Sequence, residues 1–466
     1  MKGQQLELTT LTAITPLDGR YRDRVKELTP YVSEYGLIKT RFEIEAKYLI
    51  SLSEVGIVRH LAAKERKTLD TFGENLTLAD AQKVKQIESE TRHDVKAVER
   101  AFRILVKGTS LGDITEMIHL GLTSEDINNL AYRLMLMRAT RKVCIPIIDS
   151  LIDQLLALAK KYMKTPMLAR THGQAAVPTT VGKEIVVFAA RLNGQVRELK
   201  GQQLTGKLTG AVGNFNALKF SYPEIDWINF SAKFVNSLGF QPNLATTQIN
   251  SYEDVIKYFQ NIARICGVII DFDQDIWRYI SDDWFIQDVK SGEVGSSTMP
   301  QKVNPIDFEN SEGNLVLSRG IFETLCRKLA ISRLQRDLSD STTIRNIATS
   351  LGFFLVGIKS TLTGLSRVRP NEEKISESLN RDWSILTEAV QTELRKEGVN
   401  DPYALIAKLS RGEHIDRGRW QQWLDSLPIK KDQKTRLKKL TPQTYTGLAV
   451  QLTDRTINEI IASRKK

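Results

Sequence analysis

No stretch of this 466-residue chain resembles an 18-residue uncharged apolar run, so a transmembrane helix is not expected. The segment Met1 to Thr10 lacks a basic n-region and an apolar h-region, and a cytoplasmic, soluble protein is expected. Cysteine is scarce: Cys144, Cys266 and Cys326 lie far apart inside apolar helical patterns, which argues against a disulfide framework or a thiolate zinc site. They read as small buried hydrophobes. The five histidines, His60, His93, His119, His172 and His414, never form HExxH and never pair with cysteine. There is no Walker loop, no dinucleotide fingerprint and no internal repeat. Chemistry without a metal or a cofactor is the expectation.

What is present is ordinary for a folded protein, with 41% apolar and 26% charged residues. The length suggests roughly two to four domains. Basic residues exceed acidic ones, giving a formal charge of +11. They are dispersed, the densest cluster being Lys430, Lys431, Lys434, Arg436, Lys438 and Lys439. Nucleic acid is therefore not expected as the primary partner, and the excess suits the attraction of small polyanions into clefts.

Helical periodicity dominates. Leu37, Ile38, Phe42, Ala46, Leu49, Leu52 and Val55 recur at helical spacing, and Val84, Ile87, Val95, Val98, Phe102 and Leu105 do so in two runs. Long helices are predicted at Ile127 to Tyr162, with Pro146 inside, and at Val181 to Leu204, Tyr252 to Ile280, Ile306 to Leu329 and Thr342 to Leu365. Their aliphatic positions cover more than one face, so burial against further subunits is expected. A break at Pro370 introduces shorter, more polar helices. The predicted fold is all-α in three domains: an N-terminal helical domain over 1–118, a central long-helix bundle over 119–368 and a C-terminal helical domain over 369–466.

Polar joints interrupt these helices. Leu17 to Arg22 is a turn carrying cationic and aromatic residues. Arg92-His93-Asp94 is read as lying inside a helix, with a core-edge histidine bonded to a carboxylate as its plain interpretation. His119 to Asp126 leads into a helix, with Thr123 and Asp126 approximating a capping box whose backbone donors also suit an anion. Arg170-Thr171-His172-Gly173-Gln174 sets a histidine beside glycine. A packed core histidine is the bland reading there, and the near-neutral intrinsic pKa makes His172 the best candidate for proton transfer. Gly292 to Pro305 combines glycines, small hydroxyls and Lys302, and its part up to Val303 is expected to be a mobile loop. Asn304 is the predicted N-cap and Pro305 the first helical residue after it. Arg336 and Arg345 flank Ser341, predicted to cap the following helix, an arrangement suited to phosphate or simply a solvated charged face.

Gly295-Ser296-Ser297-Thr298-Met299-Pro300-Gln301-Lys302-Val303-Asn304-Pro305 resembles the signature loop of the fumarase/aspartase superfamily, whose members split fumarate from a substituted succinate. Arg20-Tyr21, Arg92-His93-Asp94, Thr123 to Asp126, Arg170 to Gln174 and Arg333 to Arg345 resemble pieces of its adenylosuccinate lyase family, bacterial type. Gln301 stands where that type often has histidine. The last hundred or so residues add little to the likeness.

The resemblance implies a homotetramer with a central helical bundle and active sites assembled from three subunits, and a purine-biosynthesis lyase releasing fumarate from adenylosuccinate and from succinylaminoimidazole carboxamide ribotide. It implies that His172 is the general acid and Ser296 the general base, with Lys302 and Asn304 holding the carboxylates. Arg20, Tyr21, Arg336, Ser341 and Arg345 would bind the ribose phosphate. Arg92, His93, Asp94, Thr123, Ser124 and Gln248 would surround the rest of the anionic nucleotide substrate. Another fumarate-releasing lyase, such as one acting on argininosuccinate, is the nearest alternative. An inactive structural or nucleic-acid-associated homologue is the alternative of a different class.

Overall fold

The computed structural model describes residues 7–288, 298–299, 301–410 and 414–465. Among them helices predominate, and three two-stranded pairs are the only sheets. The chain divides into two compact units, each built from three separate segments. The first takes the residues up to Ile147, Gln195–Gly267 and Gly313–Lys359; the second takes Ile148–Gly194, Val268–Glu312 and the chain from Ser360 onward.

In the first unit the helix Glu34–Glu54 starts where Ser33 Oγ accepts from Gly36 N at 3.1 Å, which satisfies one of the open donors of the first turn. It buries Phe42, Ile44, Tyr48, Leu49 and Leu52. Phe42, Phe72 and Phe102 form an aromatic cluster with ring centroids 4.4–5.7 Å apart. Tyr48 sits edge-on to Phe230 and Phe234, and its hydroxyl donates to Leu120 O at 2.8 Å, so a buried phenol keeps a partner.

The predicted helix from Ile127 is present as Ser124–Ala139 and Ile145–Lys161, joined without a break by a π-helical turn at Thr140–Cys144. Pro146 has no N–H for the ladder and its ring crowds the preceding turn; the wider π-turn just ahead of it absorbs that conflict. The other long helices are Val181–Gly201, Glu253–Ser281, Ile306–Leu329 and Ile347–Leu365, the last preceded by a short helix Ser339–Ile344. The stretch Ser339–Leu365 is long and apolar enough to cross a membrane by composition, yet 67% of its most apolar window is buried, as in the core helix of a folded bundle.

Within the second unit Phe188 packs on Phe272, and the C-terminal helix Ala449–Arg464 is fastened by Asn193 Nδ2 donating to Ser463 Oγ at 3.0 Å and by Arg464 pairing with Asp149 and Asp153. Asp273 is buried there and accepts from Thr361 Oγ1 at 3.0 and 3.1 Å. Burial holds its carboxyl well above the usual range, more than the hydrogen bonds from Ser311 and Thr361 lower it.

Two local expectations are corrected, and a hairpin is found that the sequence reading did not foresee. Arg92-His93-Asp94 is not inside a helix: Arg92 adopts φ 51° and ends Leu78–Thr91, and His93 caps the next helix, Asp94–Lys107. The segment around His172 is a hairpin of Pro166–Thr171 and Gln174–Thr180. Its two central residues, His172 and Gly173, both have positive φ, at 53° and 75°, which makes it the tight turn whose twist matches the flanking strands. The helix after the signature segment starts at Ile306, and Pro305 O accepts from Glu309 N at 3.3 Å; Asn304 thus lies one position farther out than an N-cap.

Candidate active site

The first unit contains eleven of the candidate residues. Asp94, at the first turn of its helix, is the hub: Oδ2 accepts from Arg41 Nη2 at 2.7 Å and from Arg345 Nη2 at 2.8 Å. Burial opposes its charge, but these guanidinium groups outweigh burial and hold the carboxyl well below the usual carboxylate range. Arg41 is itself buried and fixed by Asn128 Oδ1 at 3.0 Å. Arg345 also lies 3.4 Å from Glu34 Oε2.

Arg336 Nη2 donates to Ser341 Oγ at 2.8 Å. Ser341 is therefore not the cap of its helix; Asp337 serves that start, accepting from Ser339 N at 2.8 Å. The serine hydroxyl is left facing a guanidinium, a pairing that an anion can share.

The turn Leu17 to Arg22 belongs to the same region. Arg20 is exposed, and Tyr21 packs on Leu17, Val25, Phe353 and Val356. Leu17, Asp18 and Arg22 line a cavity of about 510 Å³ together with Glu34 and Arg345. Arg336, Ser341 and Ser124 do not line it, so this apolar hollow adjoins the polar cluster without containing it.

His93 Nδ1 accepts from Lys96 N at 3.2 Å, and its Nε2 lies 3.4 Å from Ser124 Oγ. The imidazole is exposed, which removes the core-edge interpretation. The predicted capping geometry is present on the carboxylate side: Asp126 Oδ2 accepts from Thr123 N at 2.9 Å. Its other oxygen accepts from Lys207 Nζ at 2.7 Å and Thr209 N at 3.0 Å. Gly121, just ahead, has φ 67°, and a Cβ there would stand 2.3 Å from Leu218 Cδ2, so only glycine fits this approach. Gln248 joins the loop beyond Lys207 by Nε2 donating to Ala211 O at 3.0 Å, and its backbone N donates to Gln335 Oε1 at 3.1 Å.

The second unit contains His172, Lys302 and Asn304. His172 is exposed at the hairpin tip, which removes the packed-core reading. The turn is braced by Arg170, which donates to Gly173 O at 3.1 Å and lies over the Trp284 ring at 4.9 Å. Lys302 is exposed and follows a turn in which its N donates to Met299 O at 3.0 Å. Ser296, the base implied by the resemblance, and its neighbour Ser297 lie outside the described residues. Among the described residues no three His, Cys, Asp or Glu side chains gather as a metal would require.

Two family models match in tandem: Lyase over residues 19–319 and Adenylosuccinate lyase C-terminal over 332–446. The adenylosuccinate lyase of Haemophilus influenzae is 44% identical over 97% of this chain and 100% of its own length. That of Escherichia coli is 43% identical over 96% and 99%. The chain belongs to the adenylosuccinate lyase family. The C-terminal part, which carried little of the likeness by motif, is thus covered by a model named for that family. Among solved structures, 3-carboxy-cis,cis-muconate lactonizing enzyme from Pseudomonas putida superposes with a TM-score of 0.73 at 18% identity, covering 94% of this chain and 97% of that one. A beta-carboxy-cis,cis-muconate cycloisomerase from Acinetobacter calcoaceticus gives 0.70 at 16%. Both share the helical-bundle fold.

Motif reading missed several residues that lie among or beside the candidates. Glu34, Arg41 and Lys207 sit in helical or apolar patterns with no local mark of function. Glu45 is buried and 2.6 Å from His119 Nδ1. Burial lowers the His119 pKa and Glu45 raises it, with a net rise. Glu125 lay within a quoted segment, yet only its burial distinguishes it from a solvated neighbour of the cap.

Proposed function

We propose that this chain cleaves adenylosuccinate to AMP and fumarate, and succinylaminoimidazole carboxamide ribotide to the aminoimidazole carboxamide ribotide and fumarate. The observation that carries the choice of a nucleotide is the Arg336–Ser341 pair beside Arg345, a set of donors suited to a phosphate. Argininosuccinate or aspartate would leave those donors without a purpose.

The elimination needs a base for the succinyl β-carbon proton, electrons flowing into the new C=C bond, and a proton for the departing nitrogen. In this reading Ser296 takes the first proton and His172 supplies the second, while Lys302 and Asn304 steady the carboxylate charge as it builds. Exposure of His172 at a braced turn supports that role, since the backbone that carries it is held while the ring is reachable. Arg20 and Tyr21 complete the phosphate end, and Arg92, His93, Asp94, Thr123, Ser124 and Gln248 surround the rest.

The working form is proposed as a three-domain, cytoplasmic homotetramer with sites shared between subunits. Val316 and Leu317 on Ile306–Leu329 are each 52% exposed in the single chain, and Trp277 on Glu253–Ser281 is 43% exposed, apolar area that a partner would cover. The test is fumarate release by the purified protein from adenylosuccinate, argininosuccinate and aspartate in parallel. Release from either of the last two but not the first would overturn the proposal.

A further inference from the structure

Buried charges in the first unit do not balance near Arg336. Asp126 is neutralised by Lys207 at 2.7 Å and Asp254 by Arg133 at 2.8 Å. That leaves Glu125 and Asp340, 2% and 3% exposed, with one guanidinium between them. Glu125 Oε2 lies 3.4 Å from Arg336 Nη2, and Asp340 Oδ2 lies 3.9 Å from Arg336 Nε, which has no hydrogen-bond partner among the described residues. The other groups at Asp340 are neutral donors, Ser341 N at 2.5 Å and Ser341 Oγ at 3.2 Å on Oδ1 and the Tyr252 hydroxyl at 3.5 Å on Oδ2, and none of them offsets a negative charge. A second buried carboxylate beside the one cation disfavours the charged form of Glu125. Burial pushes the Glu125 carboxyl up to about 7, Arg336 opposing and Asp340 adding to the rise.

The same Arg336 Nη2 that faces Glu125 also holds Ser341 Oγ. We propose that Glu125 is a positioning residue that controls the phosphate end: protonated, it leaves Arg336 to the ligand; ionised, it draws Nη2 inward and competes with the phosphate. The inference rests on Arg336 and Ser341 being the phosphate contacts. A bound dianion adds to the negative excess and raises the affinity of Glu125 for its proton. Binding therefore takes up a proton from solvent when Glu125 is ionised in the free protein.

The test is calorimetric titration of the full-length protein with AMP from pH 6.5 to 8.5, above the second phosphate pKa of about 6. Buffers of different ionisation enthalpy report the proton. The wild-type Kd should rise about tenfold across this window with proton uptake near pH 7.5 to 8, as one linked proton requires. Glu125→Gln should flatten the profile and abolish that uptake, and the wild-type KM for adenylosuccinate should follow the same slope. Adenosine, which lacks the phosphate, should show no such slope. Arg336→Lys and Ser341→Ala report on the underlying reading: if neither weakens AMP, the phosphate assignment fails and the inference with it. If they weaken AMP but wild type and Glu125→Gln share one slope, Glu125 is only structural. Should Glu125→Gln fail to fold, absence of proton uptake by the wild type at pH 7.5 to 8 is sufficient to overturn the idea.

Discussion

Lys207 Nζ lies 2.7 Å from Asp126 Oδ1, and neither side chain reaches solvent. The ammonium also donates to Gly210 O at 2.7 Å, and Asp126 gathers backbone donors from Thr123 and Thr209, so one ion pair holds two loops in register. Breaking a buried pair leaves an uncompensated charge, which costs about 3 kcal/mol or more. Lys207→Met should lower the melting temperature markedly at fixed protein concentration and raise KM for adenylosuccinate through displacement of Thr123 and Ser124. Melting within a degree or two of wild type would show that the pair organises nothing.

Arg345 is shared between Asp94 and Glu34. Asp94 is also bound by Arg41, whereas the exposed Glu34 contact is weaker and is the one a phosphate would replace. Arg345→Ala should raise KM about tenfold or more with a smaller change in kcat, the pattern of lost ground-state binding. Glu34→Gln, by removing the competitor, should lower KM by up to about threefold. Steady-state kinetics at two ionic strengths would check both, and unchanged KM in Arg345→Ala would remove Arg345 from the phosphate site.

Asp273 supplies a pH prediction. Its folded-state pKa is raised by burial, so the native chain binds more protons than the unfolded one at pH above the ordinary aspartate value of about 3.9. Its contribution to stability is consequently full at low pH and lost as pH rises toward the folded-state pKa. Asp273→Asn imitates the neutral carboxyl. The variant should melt higher than wild type by a margin that widens between pH 5 and pH 8; a margin that stays constant or shrinks would contradict this account.

His172 and Ser296 provide a test of shared sites. Each alanine variant should lose roughly 10²-fold or more in kcat, with a nonreactive substrate mimic still bound within about tenfold. If the two residues reach a site from different subunits, mixing and reassembling the two variants restores both groups in about one quarter of sites, by simple counting in a symmetric oligomer. Hybrid tetramers verified by mass spectrometry but devoid of activity would place both groups on one chain or dismiss one role, and Ser297→Ala kinetics would separate those outcomes.

The long helices were legible because aliphatic residues repeat every three or four positions and few glycines or prolines intervene; Ile306–Leu329 was read to the residue. The hairpin at His172 was not, since its strands are short and its turn is encoded by only two residues willing to take positive φ. The polar joints were legible as places, less so as contacts. Ser341 looked like a cap because serine often caps helices, but the helix begins two residues earlier and Asp337 accepts from its first N–H. The partners of Asp94 lie 53 and 251 residues away, a separation no local pattern records.

The π-turn at Thr140–Cys144 carries one residue more than an α-helical turn would, and each α-helical residue advances the screw by about 100°. Everything downstream is therefore rotated by about that angle relative to an unbroken α-helix. The stripe Ile148, Ile152, Leu155 and Ala159 is buried in this rotated phase. A deletion of one residue within 140–144 would restore ideal helical geometry locally and at the same time turn that stripe toward water. The irregular turn is thus a phase-setting device: the most regular helix available to this stretch is the one its apolar pattern cannot use.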